Sequence, residues 1–133
     1  MKKTNKKRNK KQSIKKEIDI RPVEIKIDEV KNITLHFKER WNERVSEISI
    51  KNFNEVFSRK FENEKFENID GDYYKIGDIM VVMGFRDGGP ALVTCIGNIE
   101  DNYMMYDLIE SRGARYYNNF MRRYGKLHIE TVA

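Results

Sequence analysis

Charge is distributed so unevenly along this 133-residue chain that only part of it can fold around a core. Residues 1–16 contain eight lysines and Arg8 but no acidic side chain, which gives this segment a net charge of +9. Because like charges repel and Ile14 offers almost the only apolar side chain there, we predict a disordered basic arm. Residues 17–133 carry 17 basic and 21 acidic side chains, a net charge of −4, and their length predicts a single domain.

The cysteine content and the lengths of the apolar runs exclude several classes of protein. Cys95 is the only cysteine, which excludes an intramolecular disulfide and a cluster of thiolate metal ligands within one chain. No apolar run approaches the roughly 20 residues that span a bilayer, and no hydrophobic stretch of a signal peptide follows the N-terminal charges. We therefore expect a cytoplasmic protein without membrane contact, metal or cofactor.

Two patterns in the first half of the predicted domain indicate a strand and two helices. Apolar and charged residues alternate over 18–30, which is typical of an edge strand with one face in water. Thr34 is a suitable N-cap for a helix over 35–46, in which apolar residues recur every fourth position. Ser49 is a suitable N-cap for a second short amphipathic helix.

Beyond Asn63 the apolar period changes from helical to two, and glycine-containing turns divide the segment into short strands. These strands form a predicted antiparallel meander over 65–69, 72–76, 79–85 and 91–96. A long helical pattern then runs from Asp101 to Gly125, bent or split at Gly113, and 126–133 could add an edge strand. The predicted fold class is α+β: an N-terminal strand, two short helices, a four-stranded antiparallel meander and a long C-terminal helix.

One helix face carries residue types that suit phosphate chemistry. His36, Arg40 and Arg44 lie at helical spacing beside the apolar stripe. Arginines can hold a phosphate bidentately, and an imidazole can move a proton near neutral pH. The interpretation that we favour is simpler: Glu39, Arg40, Glu43 and Arg44 form i,i+4 ion pairs on a solvated helix.

The segment 33–97 resembles the small prokaryotic and phage domains related to RelE/BrnT-type toxins. The resemblance is carried by the helix LHFKERWNERV, by Ile48-Ser49-Ile50 opening a second helix, and by the strand sequence YYKIGDIMVVM over 73–83. It implies a curved antiparallel sheet, backed by N-terminal helices, that cleaves RNA with basic and aromatic side chains. Arg86 and either Tyr73 or Tyr74 would be the corresponding catalytic candidates.

The C-terminal helix mixes arginines with aromatic residues, a combination that can contact phosphates and stack on unpaired bases. The interpretation that we favour is that Tyr116, Phe120 and Tyr124, at i, i+4 and i+8, form the core stripe and leave the arginines in solvent.

These observations lead to three functional hypotheses. The leading one is a small nucleic-acid-binding accessory protein of bacterial or phage origin, with RNA favoured over DNA, tethered through the arm because clustered cations displace counterions from a polyanion. The first alternative is a metal-independent ribonuclease of the toxin type, which leaves enzymatic activity uncertain. The second is a virion or host-takeover module that docks on a protein. The sequence does not indicate an oligomeric state.

The predicted site residues follow from these hypotheses. The catalytic candidates, if the protein is a ribonuclease, are His36, Arg86, Tyr73 and Tyr74. The nucleic-acid-binding candidates are basic residues of the arm and of the first helix: Lys2, Lys3, Lys6, Lys7, Arg8, Lys10, Lys11, Lys15, Lys16, Arg40 and Arg44.

Overall fold

A computed structural model describes residues 21–86 and 88–132 and has an α+β fold, as the sequence predicts. The nine cationic candidates of the arm lie outside the described residues. Six strands form one sheet, and four α-helices accompany it in the described part of the chain. The strands are β1 (Glu24–Lys26), β2 (Asn32–Ile33), β3 (Lys65–Asp70), β4 (Tyr73–Ile76), β5 (Ile79–Arg86) and β6 (Gly89–Asn98); the helices are α1 (Leu35–Arg44), α2 (Phe53–Lys60), α3 (Tyr103–Arg112) and α4 (Ala114–Val132).

The sheet has the strand order β1-β3-β4-β5-β6-β2. Strands β3 to β6 form the predicted antiparallel meander, and β1 adds to its edge antiparallel to β3. Strand β2 pairs parallel to β6 through two residues, which makes the sheet mixed. The register between β5 and β6 shifts twice, and such bulges bend a strand and increase its twist.

Helices α1 and α2 cover one face of the sheet. The Thr34 hydroxyl accepts a hydrogen bond from the Phe37 amide at 3.0 Å, which confirms Thr34 as the N-cap of α1. Trp41 is fully buried and meets Phe57 edge to face, with 4.9 Å between the ring centroids. This aromatic cluster packs against the side chains that β4, β5 and β6 direct to the same face, which forms the larger of two cores.

Helices α3 and α4 pack on the opposite face. Met80 of β5, Ile109 of α3, and Ala114 and Tyr117 of α4 are the buried members of this second core. It is smaller than the first core, and several of its surrounding side chains are only partly buried. Strand β5 therefore lies between apolar layers, as its continuous apolar sequence predicts.

The structure corrects two sequence predictions and shows that the C-terminal helix is split, one of the two outcomes predicted at Gly113. The N-terminal strand is limited to β1 in the described residues, because a 3₁₀ turn follows at Ile27–Glu29. The long C-terminal helix is split at Gly113, whose φ of +103° favours glycine, and the Asp70 carboxylate accepts a hydrogen bond from the Ala114 amide at the start of α4. Helix α4 continues through Gly125 to Val132, so the predicted edge strand over 126–133 is wrong in its described part.

Among the described residues, no helix combines the length and apolar character needed to cross a membrane.

Candidate nucleic-acid interface

Helix α4 has two apolar faces, and the face that meets the sheet is not the predicted one. Tyr117 is 7% exposed and packs edge to face on Tyr73, while Met121 packs into the same core. In contrast, Tyr116 is 38% exposed and Tyr124 is 54% exposed. The prediction that Tyr116, Phe120 and Tyr124 form the core stripe is therefore wrong, because the i, i+3, i+7 set that begins at Ala114 takes the sheet side.

The aromatic side chains outside the core form a row along one edge of α4, which we call the aromatic ladder: Tyr116, Phe120 and Tyr124. The Tyr116 and Phe120 rings are stacked, with 6.5 Å between their centroids and 29° between their planes. The Phe120 and Tyr124 centroids are 4.7 Å apart. At the start of the row, the Arg112 guanidinium lies 4.8 Å from the centroid of Tyr116. The Tyr116 ring is thus flanked by Arg112 and Phe120, and the 54% exposed Tyr124 at the other end is the more open ring for a stacked base.

Arginine side chains extend this aromatic surface. Arg112, Arg115, Arg122 and Arg123 are all exposed, and the segment 112–124 contains no acidic residue. The contrast with the preceding part of the sequence is large: residues 17–111 carry 12 basic and 20 acidic side chains, a net charge of −8. Net positive charge outside the arm therefore begins at Arg112, the last residue of α3, and continues along α4, where it can attract a polyanion.

The two arginines predicted on α1 have different roles. The Arg40 guanidinium pairs with the Glu43 carboxylate of the same helix at 3.2 Å, an ion pair at i,i+3 and not at the predicted i,i+4 spacing. Arg44 instead donates from Nη1 to the carbonyl oxygen of Cys95 at 2.8 Å, so it joins the end of α1 to β6. Arg44 therefore has a structural contact, while its other N–H groups can still serve a ligand.

The four catalytic candidates do not meet in one cleft. His36 lies on the exposed side of α1, and the buried Tyr74 belongs to the core beneath that helix, where its hydroxyl donates to the Pro22 carbonyl at 2.9 Å. Tyr73 and Arg86 lie on the opposite face: the Tyr73 hydroxyl contacts Asn118 of α4 at 3.3 Å, and Arg86 extends past Gly84. The sheet therefore separates His36 and Tyr74 from Tyr73 and Arg86.

Burial also opposes proton transfer by the tyrosines of the meander. Desolvation raises the pKa of Tyr73 above its usual value, and the neighbouring Asp72 adds to the rise. Desolvation is also the main cause of the raised pKa of Tyr74. A phenol with a raised pKa is a weaker acid and loses its proton less readily at neutral pH.

The structure brings together residues that the sequence-based site omits. The core-stripe prediction places Tyr116 and Tyr124 in the interior, and the predicted site residues do not include the four arginines of 112–123. One signal in the sequence points to them: the only strongly basic stretch outside the arm is also free of acids and rich in tyrosine. Periodicity alone does not reveal this site, because both faces of α4 carry aromatic residues.

Comparison with protein-family models, with curated proteins and with solved structures finds no match to this chain, so the resemblance to toxin domains stays a prediction.

Proposed function

We propose that this protein binds single-stranded nucleic acid, with RNA as its partner, and that α4 and the basic arm form the binding surface. The observation that carries the proposal is the exposed face of α4, where Tyr116 and Tyr124 lie among four arginines in a segment without acidic residues. Proteins that hold single strands combine these two elements, a cationic path for the phosphates and aromatic rings on which bases stack.

The arm and the helix have separate tasks in this proposal. Nine cations in residues 1–16 gain free energy by releasing counterions from the nucleic acid, which supplies affinity without sequence preference. The exposed rings of α4 add stacking, which requires unpaired bases and therefore favours single strands over duplexes. The net charge of −8 on residues 17–111 repels phosphates from the remaining surface and orients the strand toward α4.

The geometry favours binding over cleavage. General acid–base catalysis requires a proton-transfer group and a phosphate-binding cation within reach of one phosphate. His36 and Arg86 lie on opposite sides of the sheet, and the hydroxyl groups of Tyr73 and Tyr74 donate hydrogen bonds within the protein. We therefore expect RNA to be recovered intact after incubation with the protein.

The salt dependence of RNA binding tests this function. We expect the slope of log K against log salt for an unstructured RNA to become shallower by about 0.7 for each phosphate that the protein no longer neutralises. Removal of residues 1–16 should flatten the slope most, and the combined change Arg115→Gln, Arg122→Gln and Arg123→Gln should flatten it by up to about two units. Fluorescence anisotropy over a range of salt concentrations measures both effects.

Arg59→Gln is the matched control, because Arg59 is an exposed helical arginine on α2, outside the proposed surface. It should leave the slope unchanged. The proposal is contradicted if the full-length protein does not bind RNA at low salt, or if the triple arginine variant and the control lower the slope equally.

A further inference from the structure

A cleft of about 540 Å³ opens between the end of α1, the end of β6 and the start of α3. Its volume lies in the range of small-ligand sites. Arg44, Asn98 and Asp101 supply polar groups of three kinds, and Ile96, Met105 and Tyr117 supply an apolar wall. A second carboxylate in the lining, that of Glu43, pairs with Arg40. A few polar groups against an apolar wall are typical of small-molecule sites.

The hydrogen bonds within the cleft show which groups remain for a ligand. Arg44 uses one N–H group on the Cys95 carbonyl, and the amide NH₂ of Asn98 donates to the Arg44 carbonyl at 3.4 Å. The amide NH₂ of Asn102 donates to the Asn98 carbonyl at 2.8 Å. No described residue donates to the Asp101 carboxylate, which is exposed at the rim. The cleft therefore offers carboxylate and amide oxygens as acceptors beside a guanidinium donor.

This arrangement of donors and acceptors suits guanine better than the other bases. The Watson–Crick edge of guanine presents two adjacent N–H donors, which match the two oxygens of a carboxylate. Its O6 and N7 acceptors match an arginine, the most common specific partner of guanine. Adenine and cytosine each present a single amino group beside ring acceptors, so a carboxylate would pair with them less completely.

The cleft lies next to the surface proposed to hold the strand. Tyr117 brings the sheet-facing side of α4 into the cleft wall, and the aromatic ladder runs along the exposed edge of the same helix. We propose that the cleft receives one guanine of a strand bound on α4. This assignment deepens the proposed function and rests on it. Bases of single strands can be splayed out and read on their Watson–Crick edges in this way.

The test compares short oligouridylates that carry one central guanine, adenine or cytosine, bound to the full-length protein. We expect the guanine-containing strand to bind about tenfold more tightly than the other two, the discrimination typical of a bidentate base contact. Asp101→Asn should abolish the preference for guanine, because a single amide oxygen cannot accept from both guanine N–H groups as a carboxylate does. Asp107→Asn is the matched control, because Asp107 is an exposed acid of α3 that does not line the cleft, and it should keep the preference.

Equal affinity of the wild-type protein for all three strands would overturn the guanine site while leaving the proposed function intact. If the protein binds no RNA, the proposed function fails. Titration with guanosine and adenosine monophosphates then shows whether the cleft binds guanine. Amide resonances of Gly97, Asn98 and Asp101 that shift with the guanine nucleotide alone would support the site. The absence of such shifts would overturn it.

Discussion

Cys95 places its thiol in the core between β6 and helix α1, where it is fully buried. Burial raises the pKa of this thiol to about 12, although the nearby Arg44 partly opposes the rise. A thiol in an unfolded chain titrates near 9. Because the folded state holds the proton more tightly, the thiol stabilises the fold fully below about pH 9, and this contribution is lost as the pH rises through 9 toward 12.

The free energy of unfolding should therefore fall on the alkaline side. Between about pH 8 and about pH 10 the wild-type protein should lose about 1.4 kcal/mol more than Cys95→Ala, because one pH unit above the unfolded pKa corresponds to this amount. Urea denaturation at the two pH values measures the difference. The variant will be less stable at both pH values because of the cavity it creates, so only the change with pH is informative. Identical pH dependence of both proteins would contradict the assignment.

Asp70 is a second single residue with a testable role, because it caps the start of α4 at the junction with α3. Its carboxylate accepts a hydrogen bond from the Ala114 amide, as an N-cap does, although it lies 44 residues earlier in the chain. Asp70→Ala should lower the free energy of unfolding by about 1 kcal/mol. Asp72→Ala is the control, because the Asp72 ion pair with Arg21 is about half exposed and such pairs contribute little. Equal losses in urea denaturation of both variants would argue against the capping role.

For whole helices and strands, the sequence predicts those features that depend on residues close together in the chain. The meander follows from period-two apolar residues and glycine turns, and the start of α1 follows from the Thr34 side chain, so both could be predicted. Strand β2 could not, because its two residues become a strand only by pairing with β6, about 60 positions away. The break between α3 and α4 could be predicted only in part. The sequence shows Gly113, but only the fold brings the Asp70 carboxylate to the Ala114 amide at the start of α4.

Helix α4 shows why the candidate site was harder to predict than the fold. Its sequence is amphipathic in two ways, since Ala114, Tyr117 and Met121 form one apolar face, and the aromatic ladder forms another. Only the position of the helix over Met80 and Tyr73 decides which face is buried. On α1 the spacing placed Arg40 and Arg44 together, but the approach of β6 gave Arg44 a backbone partner that no local pattern could indicate.

The molecule as a whole combines two cationic segments with an acidic middle. The arm carries +9, residues 17–111 carry −8, and the exposed arginines lie on the last helices. This separation predicts that nucleic acid approaches α4, because the segment 112–124 carries four arginines and no acidic residue. The distribution of charge could be read from the sequence, whereas the placement of the aromatic ladder in solvent required the fold.

Binding of an unstructured RNA by the double variant Tyr116→Ala and Tyr124→Ala tests the central claim most directly. We predict that affinity falls about tenfold or more, since one stacked base contributes about 1–3 kcal/mol, while the slope against log salt stays as in the wild-type protein. Tyr103→Ala, which removes a 61% exposed tyrosine at the start of α3, should leave affinity unchanged. Wild-type affinity of the double variant would contradict the claim that bases stack on α4.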